Sequence, residues 1–504
     1  MVCSCTLKFF GVVTIVILLY LWVKRKYRFF EKKGIPFVPP RFPLGNLWGV
    51  GSKKHTGVFV REMYSKLKGR DILGGVYFFI RPVVMPLDLD LIKRILVKDF
   101  QNFHDRGIYV NERDDPLSGH IFAIPGQKWK HLRAKLSPTF TSGKMKMMHS
   151  TIIAVAQEFQ QFLGTCAEKK EEIEIKDVLG RFTTDVIGSC AFGVECNSLN
   201  DPETEFRRMG KKVFNFEGLQ FLRLFFMSMF PDVARSLRMK VTKQDVSDFF
   251  MRLLRETIDY REKNNVKRND FLSLLIQIKN TGKIEGDDAD LGKMSFEELA
   301  AQTFLFFIAG FETSSSTMTF ALYELAQNQE VQNKAREEVN RVLENHNGEY
   351  TYDACMEFKY IDQIIKETLR IHPIVPNLIR TLTQDYKIPE RDLEFKKGTF
   401  FSIPVIGIHH DPDIYPEPSK FDPDRFTEEN IKERHQYAWL PFGDGPRNCI
   451  GMRFGMMQTR VGLATLLSKY RITPTSRTPI PMKYDPKSAV LSPIGGMWLK
   501  IEKI

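Results

Sequence analysis

The stretch Phe442-Gly-Asp-Gly-Pro-Arg-Asn-Cys449-Ile-Gly451 places one cysteine in a glycine-rich turn, directly before a run with helical periodicity. The apolar side chains that this periodicity places on one helix face are Ile450, Phe454, Met457, Val461 and Ala464. Backbone N–H groups in the turn and the positive end of the helix favour the thiolate form of Cys449. A buried structural cysteine is the simpler alternative for a lone thiol.

A single thiolate without a neighbouring cysteine or histidine suits one axial position of a haem iron better than a zinc site. The stretch matches the haem-binding signature of the cytochrome P450 family at all its fixed positions, which are Phe442, Gly445, Arg447, Cys449 and Gly451. The chain therefore resembles this family. The resemblance implies a mainly α fold with one small β region, near the N-terminal half of a single catalytic domain over residues 46–504. It also implies haem b with Cys449 as the metal ligand, and Phe442 and Arg447 as cofactor contacts.

Two motifs upstream of this stretch resemble a charge cluster of the same family. Glu367-Thr-Leu-Arg370 places an acid and a base about one turn apart, near the end of a helix. The second motif is Phe421-Asp-Pro-Asp-Arg425-Phe426. By resemblance Glu367 and Arg370 pair with Arg425 in a buried structural cluster, where loss of one partner would leave uncompensated charge. The resemblance also implies that Arg380, like Arg447, binds a propionate of the haem.

A long helix is predicted from the capping box Ser295-Phe-Glu-Glu298 to about Gln327. Because it is apolar on most sides, we expect it inside a large fold. Gly310 removes bulk where a planar cofactor could lie, and the Thr313 hydroxyl can bond a carbonyl and loosen the helix. A buried helix with a few polar residues is the alternative interpretation. Residues 309–314 resemble the oxygen-activation motif of the family, which implies that Glu312 and Thr313 are catalytic and deliver protons.

Trp129 and Arg133 lie one helical turn apart, and a pair with this spacing contacts a haem propionate in the family. Three neighbouring lysines predict either a basic docking face for an acidic reductase or an ordinary solvated helix face: Lys128, Lys130 and Lys135.

The substrate pocket is predicted by resemblance from loops and helix positions. The candidate pocket residues are His120, Ile121, Phe122, Phe307, Val375, Asn377, Leu378 and the loop Ser488–Ile494. The apolar run at residues 214–231 predicts either core packing or a lid that enters a membrane beside the substrate entrance.

Residues 9–23 carry no charge and are followed by Lys24-Arg-Lys-Tyr-Arg28. This order predicts an uncleaved transmembrane anchor over residues 1–23, with the rest of the chain in the cytosol. Residues 24–45 contain the basic flank and four prolines at positions 36, 39, 40 and 43, and they predict a stiff hinge.

The composition of the 504-residue chain narrows the classes of partner. Its net charge of +12 comes from 73 basic and 61 acidic residues that are interspersed, so we expect a membrane surface or an acidic protein rather than nucleic acid. Seven cysteines without paired spacing indicate a reducing compartment. The 41 phenylalanines and 19 methionines are typical of a protein with a wide apolar cavity.

The resemblance implies an NADPH-dependent monooxygenase that acts on a lipophilic xenobiotic, hormone or fatty acid at the endoplasmic reticulum membrane. NADPH–cytochrome P450 reductase, with cytochrome b5 as a second donor, would supply the electrons. The hinge and the Ala309–Thr313 sequence resemble those of insect microsomal members that metabolise xenobiotics. The alternatives are a haem-thiolate isomerase or dehydratase that acts on peroxides without external electrons, and a non-catalytic haem protein.

Overall fold

The computed structural model describes residues 2–214, 220–285 and 289–504, without the side chains of 2–8, 12, 15 and 220–222. Helices make up most of the described chain. Its α-helices are α1 (Val2–Lys26), α2 (Phe29–Lys32), α3 (Thr56–Leu67), α4 (Leu89–Lys93), α5 (Gly126–Leu136), α6 (Ser142–Lys169), α7 (Ile175–Ile187), α8 (Glu205–Phe214), α9 (Gln220–Met229), α10 (Pro231–Ser236), α11 (Gln244–Lys263), α12 (Phe271–Thr281), α13 (Phe296–Gln327), α14 (Gln329–Asn345), α15 (Tyr352–Glu357), α16 (Lys359–Ile371), α17 (Val405–His409), α18 (Glu428–Glu433) and α19 (Met452–Leu467).

The strands form small sheets at the edges of the helical body. They are β1 (Leu73–Phe78), β2 (Arg81–Pro86), β3 (Glu172–Glu174), β4 (Leu378–Thr381), β5 (Tyr386–Ile388), β6 (Leu393–Phe395), β7 (Phe400–Ile403), β8 (Tyr470–Pro474) and β9 (Trp498–Lys503). The largest sheet has the order β1-β2-β7-β4, with β2 and β7 parallel and the other pairs antiparallel. The other sheets have the orders β3-β9-β8 and β5-β6.

The mainly α fold with little β structure is confirmed, whereas the prediction of one β region in the N-terminal half is wrong. The β1–β2 hairpin lies there, but β4 and β7 complete its sheet from the C-terminal half, and the other sheets are separate. Strands of three to six residues that pair across distant parts of the chain leave little periodic pattern to detect.

Helix α13 is the centre of the fold and positions the candidate site. Ser295 caps it and Glu298 bonds back to the Ser295 backbone, so both the predicted start and the predicted end at Gln327 are confirmed. The helix packs against α7, α16 and α19 and is buried along most of its length. It stays helical through residues 309–314, where local loosening was expected.

The N-terminal segment folds as α1 and α2, followed by a non-helical stretch over residues 35–55 that contains the prolines. The stiff hinge within residues 24–45 stays a prediction. Among the described residues, no helix combines the length and the apolar character that a membrane crossing requires. The anchor over residues 1–23 therefore stays a prediction. Of the apolar run at 214–231, residues 215–219 lie outside the described residues. Phe214 ends α8, Gln220–Met229 form α9, and Phe230 is the N-cap of α10.

Candidate functional site

The turn before α19 is held in a conformation that presents Cys449 to the protein interior. The Cys449 N–H donates to the Phe442 carbonyl at 2.8 Å, and Gly451 is the N-cap of α19. Gly445 has a φ of +71°, and a β-carbon at this position would lie 2.0 Å from the Leu96 carbonyl oxygen. Only glycine allows this close approach. The fixed glycine of the signature therefore docks the turn against the segment Arg94–Lys98.

The Cys449 side chain opens into an internal cavity, which we call the cysteine cavity. Its walls come from α5, α7, α13, α19, the Cys449 turn and the segment around β4. Burial raises the pKa of the Cys449 thiol, and the Gly451 backbone and two nearby arginines only oppose this rise. A metal ion that binds the sulfur would deprotonate it.

Four arginines lie along one rim of this cavity: Arg106, Arg133, Arg380 and Arg447. Arg133 donates to the Asn448 carbonyl at 2.9 Å and to Asn448 Oδ1 at 2.7 Å, which ties α5 to the Cys449 turn. The guanidinium of Arg447 lies 4.3 Å above the ring of Trp129. The sequence predicted all of these residues except Arg106, which donates to the Arg447 carbonyl at 3.1 Å.

The rim carries more positive than negative charge. Its nearest carboxylate is Asp105, whose Oδ1 lies 3.8 Å from Arg447 Nη2. Burial lowers the pKa of Arg380 to about 10 and that of Arg447 to about 9. The Nε atoms of Arg380 and Arg447 are buried and have no hydrogen-bond partner among the described residues. Unpartnered buried donors of this kind fit the two carboxylates of a haem, and Cys449 fits its iron.

The face of α13 that lines the cysteine cavity carries Ala309, Gly310, Thr313 and Thr317. Thr313 Oγ1 donates to the Ala309 carbonyl within the helix. A β-carbon at Gly310 would lie 2.4 Å from Ile187 Cδ1, so this glycine allows α13 to approach α7 closely. Gly310 also lines the cysteine cavity, so its role in making room for the cofactor stays a prediction.

Glu312 lies on another face of α13 and lines a second cavity of about 390 Å³, which we call the polar cavity. Its Oε1 accepts from Lys176 Nζ at 2.8 Å, and Lys176 also donates to Ser492 Oγ at 2.6 Å. Neighbouring positions on a helix point about 100° apart, which explains why Glu312 and Thr313 line different cavities. No local pattern in the sequence indicates Lys176, which lies 136 residues from Glu312 along the chain.

The candidate pocket residues divide into two groups in the structure. Those that line the cysteine cavity are Ile121, Phe122, Val375, Asn377 and Leu378. Phe307 is fully buried among phenylalanines of α8 and α11, and its neighbour Phe306 lines the cavity. Among the described residues, the lining includes neither His120 nor any part of Ser488–Ile494. Ser488 and Ser492 line the polar cavity instead.

The charge cluster consists of Glu367 and Arg370 of α16 and of Arg425, and none of the three is among the described residues that line either cavity. Arg370 donates from Nε to Glu367 Oε2 at 2.7 Å and from Nη2 to Oε1 at 2.8 Å, and both side chains are fully buried. Arg425 Nε is 3.5 Å from Glu367 Oε1. Burial raises the pKa of Glu367, and its bonds to Arg370 oppose the rise. The three residues are together, as the sequence predicted.

Comparison with known proteins identifies the family. Residues 36–500 match the family model described as Cytochrome P450. The chain is 47% identical to "Cytochrome P450 6A1" of Musca domestica over 96% of this chain and 95% of that protein. It is 46% identical to "Cytochrome P450 6a2" of Drosophila melanogaster, over 97% of both chains. The position of Cys449 in an arginine-rimmed cavity and these matches lead to one conclusion: the chain belongs to the cytochrome P450 family, as an insect-type, haem-dependent monooxygenase.

Proposed function

We propose that this protein inserts one oxygen atom of dioxygen into a lipophilic small molecule, with electrons from NADPH passed on by a membrane-bound flavoprotein reductase. The other oxygen atom leaves as water, after uptake of two electrons and two protons. The observation that carries the proposal is the position of Cys449, across an apolar cavity from Thr313. The substrate is a xenobiotic, such as a plant toxin or an insecticide, or an endogenous hormone or fatty acid.

The rim arginines and Cys449 would hold the haem, whose bound iron supplies the redox centre for oxygen activation. Trp129, Arg133, Arg380 and Arg447 would bind its propionates, together with Arg106. Ile121, Phe122, Val375 and Leu378 would surround the substrate and exclude water from it. Their apolar side chains select for a lipophilic molecule and leave its identity open.

Glu312 and Thr313 would move protons between the two cavities. Lys176 holds the Glu312 carboxylate in the polar cavity, where it can exchange protons with water. Thr313 Oγ1 lies on the cysteine-cavity side, where its hydroxyl can hold a proton beside the reacting oxygen. Transfer between the two requires Glu312 to turn away from Lys176, or a water to connect them.

Electron transfer would use the α5 face. Lys130 is exposed there, whereas Lys128 is paired with Glu112 and Lys135 donates to the Lys293 carbonyl at 2.6 Å. An acidic reductase, or cytochrome b5, would dock against this basic surface.

Reconstitution with NADPH–cytochrome P450 reductase tests the proposed reaction. We expect substrate-dependent consumption of NADPH and one ¹⁸O atom in the product when ¹⁸O₂ is supplied. We expect the Thr313→Ala variant to consume NADPH without forming an equal amount of product. Thr317→Ala, one turn further on the same face, is the control. Turnover of a hydroperoxide without NADPH would support an isomerase or dehydratase instead, and NADPH consumption that ignores every substrate would support a non-catalytic haem protein.

The N-terminal helix would attach the protein to the endoplasmic reticulum membrane with the catalytic domain in the cytosol. Its side chains from Val16 to Trp22 are exposed and apolar, and the basic residues Lys24, Arg25 and Lys26 follow. We expect the full chain to float with liposomes, and the double variant Leu18→Lys/Leu21→Lys to remain in solution. Ile431→Lys, an exposed apolar position on α18, is the matched control. Equal flotation of the double variant would contradict this attachment.

A further inference from the structure

The polar cavity lies between α7, α8, α13 and the loop at residues 485–492, on the far side of α13 from the cysteine cavity. Its volume of about 390 Å³ is large enough for a small organic molecule in addition to water. Nothing in the oxygen chemistry of the cysteine cavity requires a space of this size beside Glu312.

Arg207 of α8 is the central feature of this cavity. It is 2% exposed, and its Nη2 donates to Asp177 Oδ1 at 2.6 Å. Its Nε and Nη1 atoms are also buried but have no hydrogen-bond partner among the described residues. Two charged donors without an acceptor are costly in a buried position, so they favour an anion that accepts from both.

The charges around Arg207 leave a local positive excess. Asp177 is the carboxylate that Arg181, Arg207 and Lys211 share. Burial raises the pKa of Asp177, but these three cations outweigh it and hold the pKa at about 2. Asp185 is a second carboxylate whose charge acts on Arg207. Two negative charges among three positive charges leave one positive charge for a further anion.

The other carboxylates of the lining are already engaged. Glu174 caps α7 by accepting from the Asp177 N–H at 2.6 Å, and it also accepts from the Met497 N–H at 2.6 Å. Glu312 is paired with Lys176, and Asp485 accepts from the Lys487 N–H at 2.9 Å. None of these carboxylates accepts a hydrogen bond from the Nε or Nη1 atom of Arg207 among the described residues.

The cavity also has an apolar wall. Phe214 and Phe311 line it, with ring centroids 6.1 Å apart at 54°. At Gly180 of α7, a β-carbon would lie 3.5 Å from Arg207 Nη1 and 3.6 Å from Phe311 Cε2. A methyl group at this position would therefore contact both the guanidinium and the aromatic ring at ordinary distances.

We propose that the polar cavity is a second binding site for a small organic carboxylate, with its carboxylate on Arg207 and Lys211 and its apolar body against Phe214 and Phe311. Such a ligand would be separate from the substrate in the cysteine cavity. It would lie beside the Lys176–Glu312 pair and so close to the proposed proton route.

Calorimetric titration of the haem-loaded full chain with benzoate tests this site. An azole that ligates the iron is present throughout to block the cysteine cavity. We expect saturable binding of benzoate and none of benzamide, the neutral molecule of the same shape. Sulfate should bind at least about tenfold more weakly than benzoate, since it has no apolar body.

Arg207→Gln should abolish binding, and Lys211→Gln should weaken it by about three- to tenfold. Arg207 also bridges α8 to α7, so Gly180→Ala provides a variant that keeps the fold and narrows the site, because its new methyl meets ordinary contact distances. The Gly180→Ala variant should bind benzoate more weakly by a similar factor. Arg208→Gln, the exposed neighbour on α8, is the control and should bind like the parent chain.

Three results would overturn the proposal. The first is that benzoate shows no saturable binding to the azole-bound protein. The second is that Gly180→Ala and Lys211→Gln both bind benzoate as tightly as Arg208→Gln does. The third is that sulfate or benzamide binds as tightly as benzoate, because the site would then not select an organic carboxylate.

Discussion

The cysteine cavity and the polar cavity both lie against α13, but the balance of charged side chains in their linings is opposite. On the cysteine side, four arginines line a cavity whose walls are mostly apolar, and Asp105 lies near one of them, Arg447. On the polar side, acids and bases alternate, and most are already paired. A rim with surplus charge is suited to hold a charged group permanently, whereas a nearly balanced lining is suited to exchange protons, water or a small ligand. One buried helix therefore lies between a cavity whose charge fits a cofactor and a cavity with a nearly balanced polar lining.

Cys449→Ser should have the largest effect, and it should affect only one of the two cavities. A serine hydroxyl does not replace a thiolate ligand of iron, so we expect monooxygenase turnover to fall to background. The absorption spectrum of the reduced protein with carbon monoxide checks this. Cys166→Ser, a half-buried thiol on α6, is the control and should keep the spectrum. If the Cys449→Ser variant kept a thiolate-type spectrum, Cys449 would not be the ligand of the iron.

Arg106→Gln tests whether the surplus charge of the rim holds the cofactor. Loss of one charge-assisted contact is worth about 1.5–3 kcal/mol, so haem should leave roughly ten to a hundred times faster. Transfer of haem to an excess of an apo-globin measures this rate. Arg113→Gln, an exposed arginine later in the same loop, is the control. If haem left both variants at the same rate, Arg106 would stabilise the loop and would not bind the cofactor.

Local motifs in the sequence were sufficient to predict much of this arrangement. The glycines around Cys449, the capping box at Ser295 and the spacing of Trp129 and Arg133 each correspond to a local geometry that the structure contains. Such signals depend on neighbouring residues, so they can be recognised without knowledge of the fold.

The faces of α13 were not predictable in the same way. The helix is apolar almost all round, so its periodicity does not indicate which side meets which cavity. An error of one position, Phe307 for Phe306, turns a side chain by about 100° and moves it from the cavity into the core. Arg106 and Lys176 act through partners that lie far away in the sequence, and no local spacing reveals them.

Gly310→Ala tests whether this glycine allows α13 to pack closely against α7 or makes room for the cofactor. The new methyl would meet Ile187 at 2.4 Å, and overpacking of this kind costs about 1–3 kcal/mol of unfolding free energy. Urea denaturation measures the loss. In an Ile187→Val background the loss should shrink, because the atom that collides is removed. If the loss is unchanged in that background while haem binding weakens, Gly310 makes room for the cofactor instead.

Asp177→Asn should have the smallest effect, and its pH dependence tests the charge balance of the polar cavity. Asp177 has a pKa of about 2 in the folded protein, below its ordinary value of 3.8, so its ionised form stabilises the fold. We expect the variant to lose about 1–2 kcal/mol at pH 7, after allowance for its partial exposure. Below its ordinary pKa the unfolded chain binds a proton that the folded chain does not, so this contribution disappears as the pH falls from about 4 to about 2.

Urea midpoints of both proteins at pH 7, 5 and 3 measure this difference in stability. It should be equal at pH 7 and pH 5 and smaller at pH 3. Asp248→Asn, an exposed carboxylate on α11, is the control and should follow the parent chain at each pH. A difference that stays constant down to pH 3 would mean that the asparagine disturbs packing. The charge of Asp177 would then not stabilise the fold through its ion pairs with the three cations. Asp177 would offset less of the positive charge beside Arg207 than these ion pairs indicate.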